Sequence, residues 1–169
     1  MANRRQAKKN AAAAVNKEAA KKEVKTTVAE ETAEKVTAVE KVAEKAAEVK
    51  EAVKEFKERI AVGIDAKNGM VATEGWLEKS DVSYLDLGLA MEDAGVKTII
   101  FTDISRDGTL TGVNTEQLGR LNETVSCNII ASGGVSSIKD IEDCLELNLY
   151  GCICGKALYT GALNLEEAV

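Results

Sequence analysis

Asn128-Ile-Ile-Ala-Ser-Gly-Gly-Val-Ser-Ser-Ile-Lys-Asp140 holds an apolar run, a glycine-marked loop and a helix start in that order. The run Asn128–Ala131 is short, uninterrupted and β-branched, which predicts a strand buried on both faces. Ser132-Gly133-Gly134 breaks it with a turn signal. Ser137-Ile-Lys-Asp140 has capping-box spacing and predicts the start of a helix carrying Ile141, Leu145 and Leu147.

The same grammar recurs on both sides. Ile60-Ala-Val-Gly-Ile-Asp65 is an apolar run ending in an acid. Asn68-Gly69 after it reads as a type I′ hairpin turn leading into residues 70–76. Val82–Ala94 has helical spacing through Val82, Leu85 and Leu89, and Gly95 ends it. Thr98-Ile-Ile-Phe101 is the next strand, running into Thr102-Asp103. Asn114-Thr-Glu-Gln117 then starts a helix carrying Leu118, Leu121 and Val125. Tyr150-Gly-Cys-Ile-Cys154 is the last strand, followed by Gly155-Lys156, and a short helix begins at Asn164. Strand and helix alternate through four units. The prediction is an α/β fold with a covered parallel sheet, and four βα units amount to half of a TIM (βα)8 barrel.

Residues 1–58 are different material. Residues 11–58 are mostly Ala, Lys, Glu and Val, and Val39, Val42, Ala46, Val49, Val53, Phe56 and Ile60 alternate in steps of three and four. That is a heptad-like seam with Glu and Lys placed for helical ion pairs. Three readings stand: a self-associating coiled coil, a single helix docked on the βα units, and a partly disordered tail. The expected domains are therefore a charged helical or partly disordered extension at 1–58 and the βα units at 59–169.

Composition narrows the function classes. The chain has 169 residues and a net charge of −6. Residues 1–59 carry 15 Lys and Arg against 11 acids, and residues 60–169 carry 7 against 17. The acidic part argues against nucleic-acid binding there. No window suits a membrane span and no apolar region comes after the basic start, so a cytoplasmic protein without membrane contact is expected. Histidine is absent, which removes His-based triads and most zinc sites, leaving acid–base work to carboxylates, lysine, tyrosine or cysteine. Cys127, Cys144, Cys152 and Cys154 lack zinc-knuckle spacing and read as reduced, small, buried side chains, so no metal is expected.

The chemically interesting residues collect where strands end: Asp65, Thr102-Asp103, Ser132-Gly133-Gly134 and Gly155-Lys156. In parallel α/β folds that edge builds active sites. Gly133, Gly134 and Gly155 allow backbone amides to approach an anion, with a helix N-terminus behind and Lys156 beside them, as in a phosphate cradle. Asp65 reads either as a functional acid or as a cap on the turn before Asn68. Trp76 reads either as core or as a ligand wall. The loop Arg106-Asp-Gly-Thr-Leu-Thr-Gly112 reads either as a segment that closes over a ligand or as a solvated turn.

Gly63-Ile-Asp-Ala-Lys-Asn-Gly69, Glu74-Gly-Trp76, Thr102-Asp-Ile-Ser-Arg-Asp-Gly-Thr-Leu110, Ala131-Ser-Gly-Gly-Val-Ser-Ser137 and Gly155-Lys-Ala-Leu-Tyr159 occur in this order. Together they resemble the C-terminal half of the ProFAR isomerase family of histidine biosynthesis, over about residues 58–169. The resemblance implies the second half of a (βα)8 barrel. It also implies an Amadori rearrangement of a phosphorylated ribotide, an intramolecular aldose–ketose isomerisation without metal or organic cofactor. Asp65 then corresponds to the general acid that helps open the ribose ring, and Thr102 to a position near the reacting sugar, followed by Asp103. Trp76 corresponds to an aromatic over the substrate, and Gly133, Gly134, Gly155 and Lys156 to one of two phosphate sites.

The first four βα units of that family, with the strand-1 general base, have no counterpart, since residues 1–58 contain no aspartate and no glycine loop. The chain alone is therefore expected to be inactive or weakly active. A full barrel would need a homodimer or a complementing N-terminal half. The alternatives are a non-catalytic phosphate-binding or helix-mediated assembly fragment, and a truncated or misjoined reading frame.

Overall fold

In the computed structural model, residues 40, 42–73 and 78–169 are described. A helix over 42–56, here α1, leads through a 3-10 turn at Lys57–Arg59 into β1 (Ala61–Lys67). Then come β2 (Met70–Thr73), β3 (Glu78–Ser83), α2 (Tyr84–Asp93), β4 (Thr98–Asp103), α3 (Thr115–Thr124) and β5 (Asn128–Ser132). The chain closes with α4 (Ile138–Glu146), β6 (Gly151–Cys152), α5 (Lys156–Tyr159) and α6 (Leu165–Ala168). The six strands form one sheet in the order β3-β2-β1-β4-β5-β6, in which β1, β4, β5 and β6 run parallel. Among the described residues no helix is long and apolar enough to cross a membrane.

The expected hairpin forms. Asn68 and Gly69 both take positive φ, at 54° and 80°, as a type I′ turn requires. They fold β2 back on β1 with Ala66 opposite Val71 and Lys67 opposite Met70. The helix expected from Val82 starts later. Val82 and Ser83 belong to β3, Ser83 pairs with Met70, and its hydroxyl accepts from Leu85 N to cap α2. The buried face of α2 also differs from its apolar spacing. Tyr84, Gly88 and Met91 face inward, while Leu89 is 42% exposed. The reason is close approach: a Cβ on Gly88 would stand 2.9 Å from Leu121 Cδ1 of α3. Hydrophobic periodicity cannot register a glycine that is buried for its smallness.

Burial alternates along the parallel strands. Ile64, Ala66, Ile99, Phe101, Ile129 and Ala131 enter the core with Tyr84, Met91, Leu118, Leu121 and Cys144 from the helices. Phe101 packs on Tyr84 at 5.1 Å between ring centroids. The larger of these side chains, Ile64, Ile99, Phe101, Met91, Leu118, Leu121 and Ile129, contribute about 1.5–3 kcal/mol each on burial. The other face carries Gly63, Asp65, Ile100, Thr102, Ile130 and Ser132; Ile100 and Ile130 are half-buried and lie outside that core. The expectation of a sheet covered on both faces is thus met by the described helices on one face only. β6 is shorter than the Tyr150–Cys154 run expected, although Ile153 N extends its pairing by donating to Ala131 O at 2.8 Å.

Ala38–Val169 form one compact unit. Ala46, Val49 and Val53 of α1 pack against the core, while Lys45–Glu48 and Lys54–Glu51 pair on its exposed side. The cysteines are free thiols, two buried and two half-buried. Burial, with the neighbouring Cys152, pushes the Cys154 thiol up to about 11, so it is protonated at neutral pH.

Candidate functional site

The parallel register sets the first part of the site. Asp65 lies opposite Thr102, and Thr102 opposite Ser132, so the three share one layer at the strands' C-terminal ends. Neighbouring strands are about 4.8 Å apart, which spreads the layer over roughly 10 Å. All three are half-buried. They stand on the face that α2, α3 and α4 leave uncovered.

The second part is built by loops. Asp103, one residue beyond Thr102, points to the opposite face and is 4% exposed. Its Oδ1 accepts from Ser105 N at 3.0 Å and Ser105 Oγ at 2.5 Å. Its Oδ2 accepts from Asn114 Nδ2 at 2.6 Å, with Arg106 Nε 3.8 Å away. Arg106 Nη1 donates to the carbonyls of Gly112 and Val113 at 3.1 and 3.2 Å. The segment 103–114 is therefore cross-braced by its own polar groups.

The two glycines after β5 owe their identity to this segment. Gly133 and Gly134 have φ of +85° and +88°. A Cβ on Gly133 would meet Asp103 O at 2.9 Å, and one on Gly134 would meet Gly112 O at 2.3 Å. Gly112 N donates to Gly134 O at 2.9 Å, joining the two loops. Beside Gly155, by contrast, a Cβ would meet nothing within 4 Å.

Between these loops lies a cleft of about 270 Å³, walled by Ser132, Gly133, Gly134, Val135, Gly155 and Lys156 among others. Lys156 Nζ reaches across it to Gly108 O at 2.5 Å. The amides of Gly133, Gly134, Val135 and Gly155 donate to no acceptor among the described residues. The volume is below the ~300–1,000 Å³ that encloses a whole drug-sized ligand, and suits one anionic end group. So the sequence-selected Gly133, Gly134, Gly155 and Lys156 meet in one place. Asp65 and Thr102 lie on the adjoining open face, and Asp103 does not wall the cleft. Trp76 lies outside the described residues.

Asp140 was visible in the sequence only as a helix cap. The capping box at Ser137 and Asp140 is present, and the same carboxylate takes the amides of Ser136 and Ser137, both at 2.9 Å. Those two donors, leading into α4, are therefore spoken for.

Burial works to raise the Asp103 and Asp140 carboxyls, but their hydrogen bonds outweigh it and hold both below the usual 3.8. A depressed folded value contributes stability that is present above the unfolded value and is lost as pH falls through the folded one. Thermal midpoints should hold steady above about pH 5 and fall below roughly pH 4. Asp103→Asn should flatten that fall. An unchanged acid slope in the variant would show that Asp103 contributes nothing to it.

A family model described as "Histidine biosynthesis protein" matches residues 18–164. A protein of Clostridium botulinum (strain Kyoto / Type A2) is 56% identical over 119 residues, covering 70% of this chain and 49% of its own length. One of Bacillus anthracis (strain CDC 684 / NRRL 3495) is 58% identical over 119 residues, covering 70% and 50%. One of Clostridium novyi (strain NT) is 54% identical over 120 residues, covering 71% and 50%. Each is named an isomerase of a doubly phosphoribosylated imidazole-4-carboxamide. The chain spans about half the length of the curated relatives it matches.

Proposed function

The chain belongs to the histidine biosynthesis protein family, and from that premise we propose that residues 59–169 are the C-terminal half of an isomerase (βα)8 barrel that binds a phosphorylated ribotide. The observation that carries this reading is the coincidence of two features at one sheet edge. The Asp65–Thr102–Ser132 layer adjoins a lysine-flanked cleft with unused backbone amides. The cleft holds one phosphate of the ribotide through the amides of Gly133, Gly134 and Gly155 and the Lys156 ammonium. Such a hold leaves the sugar over the open sheet face. There Asp65 acts as the general acid on the ring oxygen as the aminoaldose opens, with Thr102 beside it. Asp103 serves the site by bracing the loop. No metal or organic cofactor takes part, and the setting is cytoplasmic.

An Amadori rearrangement also needs a base to remove a proton from the carbon next to the opened imine. By family resemblance that group belongs to the first half of the barrel, which residues 1–58 do not supply, so these 169 residues alone are inactive or weakly active. A homodimer would set two copies of Asp65 face to face, and a complementing N-terminal half would restore the usual pair. Two features favour association. Ile100 and Ile130 stand outside the core on the uncovered face. β6 is the last strand of the sheet, an edge unpaired among the described residues that can take a further strand. The competing reading is a non-catalytic phosphate-binding or helix-mediated assembly fragment.

The test is an isomerase assay with ProFAR of the purified chain, alone and mixed with an N-terminal half-barrel, run beside Asp65→Asn in the same mixture. Turnover that drops by about 10²–10⁴ in the variant is the expected signature of a general acid. A folded chain without turnover even when mixed with an N-terminal half would end the catalytic reading and leave the phosphate-binding one.

A further inference from the structure

Asp140 is 7% exposed and gathers hydrogen bonds from two loops. Its Oδ2 accepts from Ser136 N and Ser137 N at 2.9 Å, from Ser136 Oγ at 2.7 Å and from Ser137 Oγ at 3.2 Å. Its Oδ1 accepts from Val113 N at 3.3 Å, twenty-seven residues earlier in the chain. Gly112, the residue before Val113, is packed against the same oxygen: a Cβ there would stand 2.8 Å from Asp140 Oδ1. The neighbouring Gly112 N in turn donates to Gly134 O. One carboxylate thus fixes the turn into α4, the end of the 103–114 segment and, through Gly112, the peptide of Gly134.

We propose that Asp140 is a positioning residue of the anion cleft. By occupying the amides of Ser136 and Ser137 and holding Val113 to the same point, it leaves Gly133, Gly134 and Val135 to present their amides to the phosphoryl group. The inference rests on the phosphate reading of this cleft and adds the group that shapes it. Asp140 touches no ligand in this arrangement and acts through the backbone.

The sign of the effect separates positioning from charge. A negative carboxylate close to an anion site repels the anion, so neutralising it should tighten phosphate binding on Coulombic grounds alone. If Asp140 positions the cradle, neutralising it weakens binding instead. Asp140→Asn keeps the side chain's shape but turns a donor toward amides that need an acceptor.

The experiment is a titration of the full chain with inorganic phosphate, followed through backbone amide shifts in an ¹⁵N-labelled sample. In the wild type, Gly133, Gly134, Val135 and Gly155 should move while Ser136 and Ser137 stay still. In Asp140→Asn, affinity should fall by about tenfold or more, a loss near 1.4 kcal/mol, and Ser136 and Ser137 should join the responding amides. Equal or tighter binding by the variant would overturn the inference and leave the phosphate reading intact. No response of the glycine amides in the wild type would overturn the phosphate reading, and the inference with it. The wild-type pattern is decisive even where the variant does not fold: shifts centred on Ser136 and Ser137 would show that Asp140 does not withhold them.

Discussion

Gly134→Ala should lower stability by about 3 kcal/mol and abolish phosphate binding in the cleft. The backbone there has φ +88°, where an L side chain costs roughly 1–2 kcal/mol. The added Cβ would lie 2.3 Å from Gly112 O and 3.0 Å from Arg106 Cβ. The first of these is backbone, with no rotamer to move, so the 103–114 segment must shift as a whole. Overpacking of this kind costs about 1–3 kcal/mol more. The shift also breaks the Gly112 N to Gly134 O bond and strains the carbonyl fan held by Arg106. For a domain of this size the thermal midpoint should fall by about 10 °C. Gly63→Ala is the control, because its Cβ would meet nothing within 4 Å. Similar midpoints for the two variants would mean that the loops yield without cost, and the close approach would lose its explanatory weight.

Removal of α1 should produce the second large effect. A chain starting at Ile60 loses Ala46, Val49 and Val53 from the edge of the core. Val53 Cγ1 lies 3.3 Å from the position a Cβ would take on Gly95, just after α2. Three partly buried side chains at about 1 kcal/mol each contribute roughly 3 kcal/mol. The helix needs that contact in return, since an isolated helix of its length is marginal in water. Denaturant unfolding of the two chains measures the difference directly. An unchanged midpoint would show that α1 rests on the core without stabilising it, and the seam would then be free for another helix.

These two effects differ in how far they could be foreseen. The seam through Ala46, Val49 and Val53 is plain in the sequence, though it left docking, self-association and disorder all open. The glycines at 133 and 134 are also conspicuous, but as places for a ligand to approach. The structure assigns them first to the approach of another loop, because the atoms they would strike are Asp103 O and Gly112 O.

Local signals carried most of the element pattern. Apolar runs bounded by glycine, the Asn68-Gly69 turn and the Ser137–Asp140 box depend on residues within a few positions, so one sequence sufficed to read them. The same locality placed Asp65, Thr102 and Ser132 at strand ends. Their alignment in one layer needed the register between strands. The inward face of α2 needed α3, because Gly88 is buried to admit Leu121. Asp140 looked like a helix cap until the fold brought Val113 to it. By itself the sequence determined most of the strands, turns and helices, though not β3, α5 or the start of α2, since backbone preference and hydrophobic period act over short separations. Only the tertiary structure decided which side chains and amides are already engaged and which remain for a ligand, since those partners lie far apart in the chain and meet only when the loops pack.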